Sequence, residues 1–100
     1  GLGLAPGLCV GANQAMAQAT HGSAPDIAGK NIANPYALIM SGKMLLEWLG
    51  RKHNEPKAVE AAGLIDTAMD KVIAQAQHLT ADLGGKSSTS QMGDAVVAAL

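Results

Sequence analysis

The segment of this sequence best suited to hold a ligand is HGSAPDIAGKNIANP, from His21 to Pro35. It is dense in Gly, Ser, Pro, Asp and Asn, the residue types that build ordered turns. Loops of this length are usually either functional or disordered, and the apolar Ile27 and Ile32 favour an ordered one. His21 either braces the loop through a hydrogen bond or contacts a ligand. Composition and spacing therefore predict an ordered binding loop that precedes a helix.

The other residue types that carry chemistry form no recognised site. Gly1, Gly3 and Gly7 lack the G-x-G-x-x-G spacing of a dinucleotide fingerprint, and no G-x-x-x-x-G-K-[ST] phosphate loop occurs. His53 and His78 have no Cys or carboxylate partners at ligand spacing, so we interpret both as exposed residues at helix ends. The loop remains the single candidate.

A long apolar helix is predicted to follow the loop. Asn34 is suited to cap it, Pro35 suits its first position, and the helix should run to Leu49 and stop at Gly50. Its sequence, YALIMSGKMLLEWL, is apolar around most of its circumference. Such a helix requires neighbours on several sides.

Two further helices are predicted after a charged turn at residues 51–57. Asn54 and Pro56 open the first of them. Its apolar stripe consists of Val59, Ala62, Ile65, Met69, Val72, Ala76 and Leu79. Ser88 and Gln91 match the capping box of a short final helix. That helix carries Met92, Val96 and Leu100.

The amino-terminal part of the sequence is less regular. Residues 3–10 contain short apolar stretches broken by Gly and Pro, which predict a brief strand and a turn. Residues 11–35 show neither helical nor strand periodicity.

The composition argues against several classes of protein. A net charge of −1 with scattered Lys and Arg argues against nucleic-acid binding, and no apolar run approaches the roughly 18–20 residues of a membrane span. Cys9 is the only cysteine, which fits a cytoplasmic protein. With Tyr36 and Trp48 as the only aromatic residues, the core should be thin. We therefore expect a segment of a larger protein that is unstable in isolation.

The loop HGSAPDIAGKNIANP resembles the signature of the β-decarboxylating dehydrogenases, a family that includes isopropylmalate, isocitrate, homoisocitrate and tartrate/malate dehydrogenases. The resemblance covers essentially the whole chain, because GLGLAPG, the helix beginning NPYALIMSGKMLLEWLG and the tail TADLGG…GDAVVAAL occur in family order. It implies an α/β fold. Residues 1–100 would form the carboxyl-terminal segment of the large, cofactor-binding domain and would be mostly helical.

In this family the loop wraps the adenosine half of the cofactor, which the resemblance implies is NAD. His21 would lie against the adenine, and Asn34 would hydrogen-bond the adenine edge. Asp26 would bind the hydroxyls of the adenosine ribose, with Ile27 packed beside it. The cofactor-binding residues implied are His21, Gly22, Ser23, Ala24, Pro25, Asp26, Ile27 and Asn34.

Four positions bear on the choice between NAD and NADP. NADP-using isocitrate members carry Lys and Tyr where Asp26 and Ile27 stand, and Tyr and Arg at positions matching Ala81 and Gly85. A carboxylate accepts two ribose hydroxyls but repels a 2′-phosphate of about −1.5 to −2 charge. Because a hydrogen bond to a charged group contributes on the order of 1.5–3 kcal/mol, we expect a preference for NAD of roughly 10²-fold or more.

The resemblance also implies groups that this chain lacks. These enzymes oxidise a 2-hydroxy acid to a β-keto acid that decarboxylates, and Mg or Mn polarises the reacting oxygen. The metal-binding aspartates, the catalytic Lys and Tyr and the substrate-binding arginines match positions upstream, so we assign no catalytic residue and no metal ligand here. The chain alone should be inactive.

The leading functional hypothesis is the adenosine-binding part of a homodimeric, NAD-dependent oxidative decarboxylase. Its substrate would be a 2-hydroxy di- or tricarboxylic acid, isopropylmalate or isocitrate. The alternative is a non-catalytic NAD-binding or assembly subunit of the same family.

Overall fold

The structure, a computed structural model, describes residues 4–100. Gly1, Gly3 and the first position of the strand predicted at residues 3–10 lie outside the described residues. The elements are the strands β1 (Pro6–Val10) and β2 (Ala15–Ala19), the helices α1 (Tyr36–Lys52), α2 (Pro56–Gln75) and α3 (Thr89–Ala99), and a short 3₁₀ turn (Ala81–Leu83) before α3. The chain is α/β and mostly helical, as predicted.

The two strands form an antiparallel hairpin. Gly7 pairs with Gln18 in the middle of the ladder, and the Gly11 N–H donates to the Gln14 carbonyl oxygen across the turn at 2.7 Å. The strand predicted near the start is confirmed. The interpretation that residues 11–35 carry no strand periodicity was wrong for β2, where half-buried and exposed residues alternate. Its small residues, AMAQA, give a weak hydrophobic pattern that is visible only once one face packs against α1.

Side chains of α1 hold the hairpin at two points. The hydroxyl of the fully buried Ser41 accepts the Gly7 N–H at 3.0 Å and donates to the Ala37 carbonyl oxygen at 2.7 Å. At the other end of the helix, Lys52 Nζ donates to the Ala12 carbonyl oxygen at 2.7 Å. The hairpin is therefore fixed along the length of α1.

The boundaries predicted for α1 need correction at both ends. The helix begins at Tyr36 rather than Pro35, and it continues through Gly50 to Lys52. Gly50 is buried inside the helix, where an added Cβ would lie 2.5 Å from Val59 Cγ2. Its small size allows the start of α2 to approach closely. Gly50 is thus a packing residue and not a helix terminator.

The core lies where α1, α2 and α3 meet. Its buried members are Met40, Ala68, Met69, Val72, Leu79, Met92 and Val96. The stripe predicted on α2 is confirmed at Ala62, Met69 and Val72, which are buried. Ala76 instead ends the helix in the left-handed region at φ 55°, and Leu79 packs from the segment beyond it.

The predicted capping box of α3 is confirmed. The Gln91 N–H donates to Ser88 Oγ at 3.1 Å, and the Ser88 N–H donates to Gln91 Oε1 at 2.8 Å. Met92 and Val96 are buried as expected, whereas Leu100 is exposed. The first turn of α3 is therefore held in a fixed position, which matters for the loop described below.

Part of the apolar surface of α1 has no neighbour among the described residues. The hairpin covers one side and α2 another, yet Leu38 is 63% exposed. Of the neighbours expected on several sides of α1, the hairpin and α2 are therefore present, and the side that carries Leu38 is left uncovered by the described residues. None of the helices within residues 4–100 combines the length and apolarity that crossing a membrane requires.

An ion pair links α1 to α2 at the surface. Lys43 Nζ lies 2.7 Å from Glu47 Oε1, one helical turn away, and 3.4 Å from Asp66 Oδ2 of α2. The hydrogen bond to Glu47, together with the charges of Glu47 and Asp66, raises the pKa of Lys43 above its ordinary value, against the opposing effect of burial. The Lys43–Glu47 pair follows from its i,i+4 spacing, and Asp66 adds a contact between helices.

Candidate functional site

The loop between β2 and α1 is built from consecutive turns. The Ile27 N–H donates to the Ala24 carbonyl oxygen at 3.0 Å, and the Lys30 N–H donates to the Ile27 carbonyl oxygen at 3.1 Å. Ala24 has a φ of 45° and Gly29 a φ of 79°, both in the left-handed region. A positive φ at an alanine costs free energy, so the surrounding structure must hold it there. The prediction of an ordered loop is confirmed.

The far end of the loop is attached to the first turn of α3. Asn31 Oδ1 accepts hydrogen bonds from the backbone N–H and the hydroxyl of Ser90, both at 3.1 Å. The Asn31 carbonyl oxygen accepts the Thr89 N–H at 2.9 Å, and Thr89 Oγ1 donates to the Ala33 carbonyl oxygen at 2.5 Å. These bonds satisfy otherwise unpaired N–H groups of the helix and fix the loop at the same time.

The loop encloses one side of a cavity of about 690 Å³. That volume lies within the range of about 300–1,000 Å³ that small-molecule and cofactor sites occupy. The cavity is lined by His21, Gly22, Ser23, Ala24, Ile27, Ala28, Gly29, Asn31, Ile32, Ala33, Asn34, Asp82 and Thr89. Apolar side chains and backbone predominate, with a few polar side chains among them. Such a lining is typical of small-molecule and cofactor sites.

The structure brings together most of the residues named from the sequence. Six line the cavity: His21, Gly22, Ser23, Ala24, Ile27 and Asn34. Pro25 and Asp26 do not line it. Asp26 is exposed in the turn between Ala24 and Ile27, so it stands beside the cavity wall rather than in it.

His21 braces the loop through a local hydrogen bond. Its ring nitrogen Nδ1 lies 2.9 Å from the Gly22 carbonyl oxygen, and the residue is exposed. Because a carbonyl oxygen only accepts, Nδ1 must carry a proton in this arrangement, and in the neutral ring Nε2 is then an acceptor. The bracing interpretation is thus supported, and Nε2 of the exposed ring remains for a ligand.

Asn34 is fixed by partners on both sides of its amide. Its Oδ1 accepts the Tyr36 N–H at 2.8 Å, which confirms that it caps an unpaired N–H at the start of α1. Its Nδ2 donates to Asp82 Oδ2 at 3.0 Å. The other carboxylate oxygen, Asp82 Oδ1, accepts the hydroxyl of the fully buried Thr80 at 2.5 Å.

Sequence reasoning missed Asp82 and Thr89 as lining residues. Asp82 has no role in the sequence-based interpretation, although it falls in the TADLGG motif that carries part of the resemblance. Thr89 follows the capping residue Ser88 directly. Both meet the loop only through tertiary packing, which no local pattern in the sequence reports.

The remaining candidate residues do not assemble into a further site. His53 and His78 are exposed beyond the ends of α1 and α2, as interpreted from the sequence. Across residues 4–100 no group of three His, Cys, Asp or Glu side chains is placed to hold a metal ion.

Comparison with known proteins gives the fold and the family. A family model for isocitrate/isopropylmalate dehydrogenase matches residues 1–96. The isocitrate dehydrogenase of Methylococcus capsulatus superposes with a TM-score of 0.85 at 46% identity, over 99% of this chain and 28% of that one. The fold is thus that of an isocitrate/isopropylmalate dehydrogenase-like α/β segment.

Two relatives differ in the role that their names state. The mitochondrial NAD isocitrate dehydrogenase catalytic subunit 5 of Arabidopsis thaliana is 47% identical over 96% of this chain and 24% of its own length. A mitochondrial regulatory subunit of the NAD isocitrate dehydrogenase of Dictyostelium discoideum is 45% identical over 97% of this chain and 26% of its own length. The chain belongs to the isocitrate/isopropylmalate dehydrogenase family, the β-decarboxylating dehydrogenases. It spans about a quarter of the length of these relatives.

Proposed function

We propose that the loop at residues 21–34 binds the adenosine half of NAD in a longer, decarboxylating dehydrogenase. The observation that supports this most strongly is the cavity, because six residues implied by the family resemblance line it together. These residues come from one continuous loop that ends just before α1. The chain would therefore supply a preformed cofactor subsite rather than a reacting group.

The chemistry of the lining fits adenosine. Ile27 and Ile32 provide apolar surface for the base, and the exposed ring of His21 can stack on it. Asn34 places an amide in the lining. When bound, NAD supplies the acceptor for the substrate's hydride. The residues of this chain hold and orient its adenosine end, which lowers the entropic cost of positioning the reactive end.

Asp26 is the residue that we propose selects NAD over NADP. Its carboxylate is exposed beside the cavity wall, so it can accept both hydroxyls of a ribose bound at the cavity's edge. A 2′-phosphate in the same place would meet a like charge. Ala81 and Gly85 supply no cation in compensation. We expect NAD to be preferred by roughly 10²-fold or more.

Titration of the full-length protein that carries this chain, with NAD and then with NADP, tests the proposal. Asp26→Lys should weaken NAD binding and narrow the gap between the two cofactors. Asp70→Lys makes the same charge change at an exposed position on α2 that does not line the cavity, and it should leave both affinities unchanged. Equal or tighter binding of NADP by the unsubstituted protein would contradict the proposal.

The rest of the catalytic apparatus is proposed to lie outside residues 1–100. We propose that this chain is the carboxyl-terminal segment of a large, cofactor-binding domain, in a homodimer that oxidises a 2-hydroxy di- or tricarboxylic acid such as isopropylmalate or isocitrate. Mg or Mn would be held by residues outside this chain. A cytoplasmic location stays a prediction.

A non-catalytic subunit is the second candidate. It is favoured by the similarity to the regulatory subunit of Dictyostelium discoideum, which is nearly as close as the catalytic relative. The sequence upstream of residue 1 discriminates between the two, since only a catalytic parent needs the Lys, the Tyr and the metal-binding aspartates. Turnover of isocitrate or isopropylmalate by the purified full-length protein alone would exclude the second candidate.

A further inference from the structure

We infer that Asp82 is a positioning residue for base recognition, acting through the amide of Asn34. The inference rests on the proposed function and deepens it, because it states which base the cavity selects and how. Asp82 is 48 residues from Asn34 in sequence and belongs to a different element, yet its Oδ2 accepts the Asn34 Nδ2 hydrogen at 3.0 Å. Both residues line the same cavity.

The support behind Asp82 is rigid. Its Oδ1 accepts the hydroxyl of Thr80, a residue with no exposed surface. The backbone around it is a compact turn, in which the Leu83 N–H and the Gly85 N–H both donate to the Thr80 carbonyl oxygen at 3.0 Å. The carboxylate is therefore held in place before any ligand binds.

The consequence for Asn34 is a single orientation of its amide. An amide has one oxygen that accepts and one nitrogen with two hydrogens that donates. Tyr36 donates its N–H to Oδ1, and Asp82, which only accepts when ionised, requires the nitrogen on its side. If the amide turned by 180°, Asn34 Oδ1 would face the Asp82 carboxylate, an acceptor against an acceptor. Asn34 Nδ2 would face the Tyr36 N–H, a donor against a donor. Asp82 and Tyr36 thus exclude the reversed orientation together.

A fixed orientation distinguishes bases. One Nδ2 hydrogen of Asn34 is used by Asp82, which leaves a second donor hydrogen on the amide of a residue that lines the cavity. Adenine offers unprotonated ring nitrogens as acceptors, including N1. Hypoxanthine, which carries an oxygen in place of the 6-amino group, has a hydrogen on N1 and presents a donor there. With Asp82 removed, only the Tyr36 N–H opposes reversal of the amide, so the reversed form, which can accept from such a base, becomes more accessible.

The test compares NAD with nicotinamide hypoxanthine dinucleotide on the full-length protein. For Asp82→Ala we expect the dissociation constant of NAD to rise about tenfold, since a hydrogen-bonded group loses its fixed partner. The affinity for the hypoxanthine dinucleotide should fall by a smaller factor, so the preference for adenine over hypoxanthine decreases. Asp82→Asn keeps an oxygen that accepts from Asn34 and should retain the preference within about threefold. Asp94→Ala, at an exposed position on α3 outside the cavity lining, is the matched control.

Thr80→Val and Thr80→Ser provide an independent pair if Asp82→Ala fails to fold. Thr80→Val removes the hydroxyl that holds the carboxylate and should lower the preference for adenine, whereas Thr80→Ser retains the hydroxyl and should preserve it. An unchanged adenine preference in Asp82→Ala or Thr80→Val, including equal weakening of both dinucleotides, would overturn the inference and leave the proposed function standing. Failure of the unsubstituted protein to bind NAD would overturn both.

Discussion

Asn34 and Asp82 are joined by a 3.0 Å hydrogen bond, although one residue precedes α1 and the other lies in the 3₁₀ turn before α3. Both residues line the cavity. Asn34 also caps α1 through the Tyr36 N–H, so the same amide stabilises a helix start and faces the proposed ligand. We propose that this one side chain combines a structural and a binding role.

The attachment of the loop to α3 should control cofactor affinity. Asn31→Ala removes the acceptor for both Ser90 groups and places an alanine at a φ of 57°. We expect a loss of about 1–3 kcal/mol in unfolding free energy and weaker NAD binding, because a mobile loop must be ordered on binding. Chemical denaturation and NAD titration of the full-length protein measure the two effects.

Asn31→Asp is the control for that substitution. It keeps an oxygen at the same position and adds negative charge at the amino end of α3, where charge of that sign is favourable. It should retain the stability of the unsubstituted protein. Equal losses for Asn31→Ala and Asn31→Asp would show that the hydrogen bonds to Ser90 do not hold the loop.

Substitutions that shift the cofactor preference from NAD to NADP should be tolerated at three positions but not at Gly85. A side chain there would overlap the backbone carbonyl oxygen of Leu79, whereas Ala81 is exposed and open to enlargement. Asp26→Lys, Ile27→Tyr and Ala81→Tyr together should shift the ratio of affinities toward NADP with the fold retained. Adding Gly85→Arg should lower the unfolding free energy by about 1–3 kcal/mol or more, because the turn must rearrange to make room for the side chain. Affinity ratios and thermal midpoints of both combinations check this, and full stability with Gly85→Arg would show that the turn accommodates the side chain.

The ion pairs of Lys43 should produce a pH-dependent contribution to stability. Its pKa is raised above the ordinary 10.5, chiefly by the hydrogen bond to Glu47. A raised pKa in the folded state means that the contribution is complete below pH 10.5 and is lost as the pH rises through the folded value. Lys43→Met should therefore lower the unfolding free energy at neutral pH by up to about 1 kcal/mol.

The difference in unfolding free energy between Lys43→Met and the unsubstituted protein should decrease under alkaline conditions and in high salt. Lys71→Met, on the exposed face of α2, serves as the control and should show neither dependence. If the loss of unfolding free energy in Lys43→Met stays constant between neutral and strongly alkaline pH, the effect comes from packing of the Lys43 methylene groups and not from its charge.

The isolated 100-residue chain should be unstable or aggregate. Leu38, Leu64 and Val97 expose more than half of their surface, and the buried core is small and contains no aromatic residue. We expect this apolar surface to favour association of the isolated chain. Calorimetry and sedimentation of the isolated chain test this, and a sharp two-state transition of a monomer would contradict the proposal that it is part of a larger domain.

The elements that the sequence predicted well are those encoded by neighbouring residues. Ser88 and Gln91 lie three positions apart and satisfy each other's backbone, so the capping box was predictable and is confirmed. The hairpin partner β2 and the continuation of α1 through Gly50 depend on packing against α1 and α2, which local propensity does not report. The position of Asp82 in the cavity lining likewise depends on tertiary packing.

The family resemblance supplied what local patterns did not. From composition alone the loop was an ordered binding segment, and the cavity around it agrees with that description. The roles of Asp26 and Asn34 came from the resemblance. They stay predictions, and Asp26 in particular stands beside the lining rather than in it.

A crystal structure of the full-length protein with bound NAD would decide whether residues 21–34 hold adenosine. We expect adenine in the cavity between His21 and Asn34, with both adenosine ribose hydroxyls within about 3 Å of the Asp26 carboxylate. Density for adenosine at another place, with the Asp26 carboxylate facing only water, would refute the assignment.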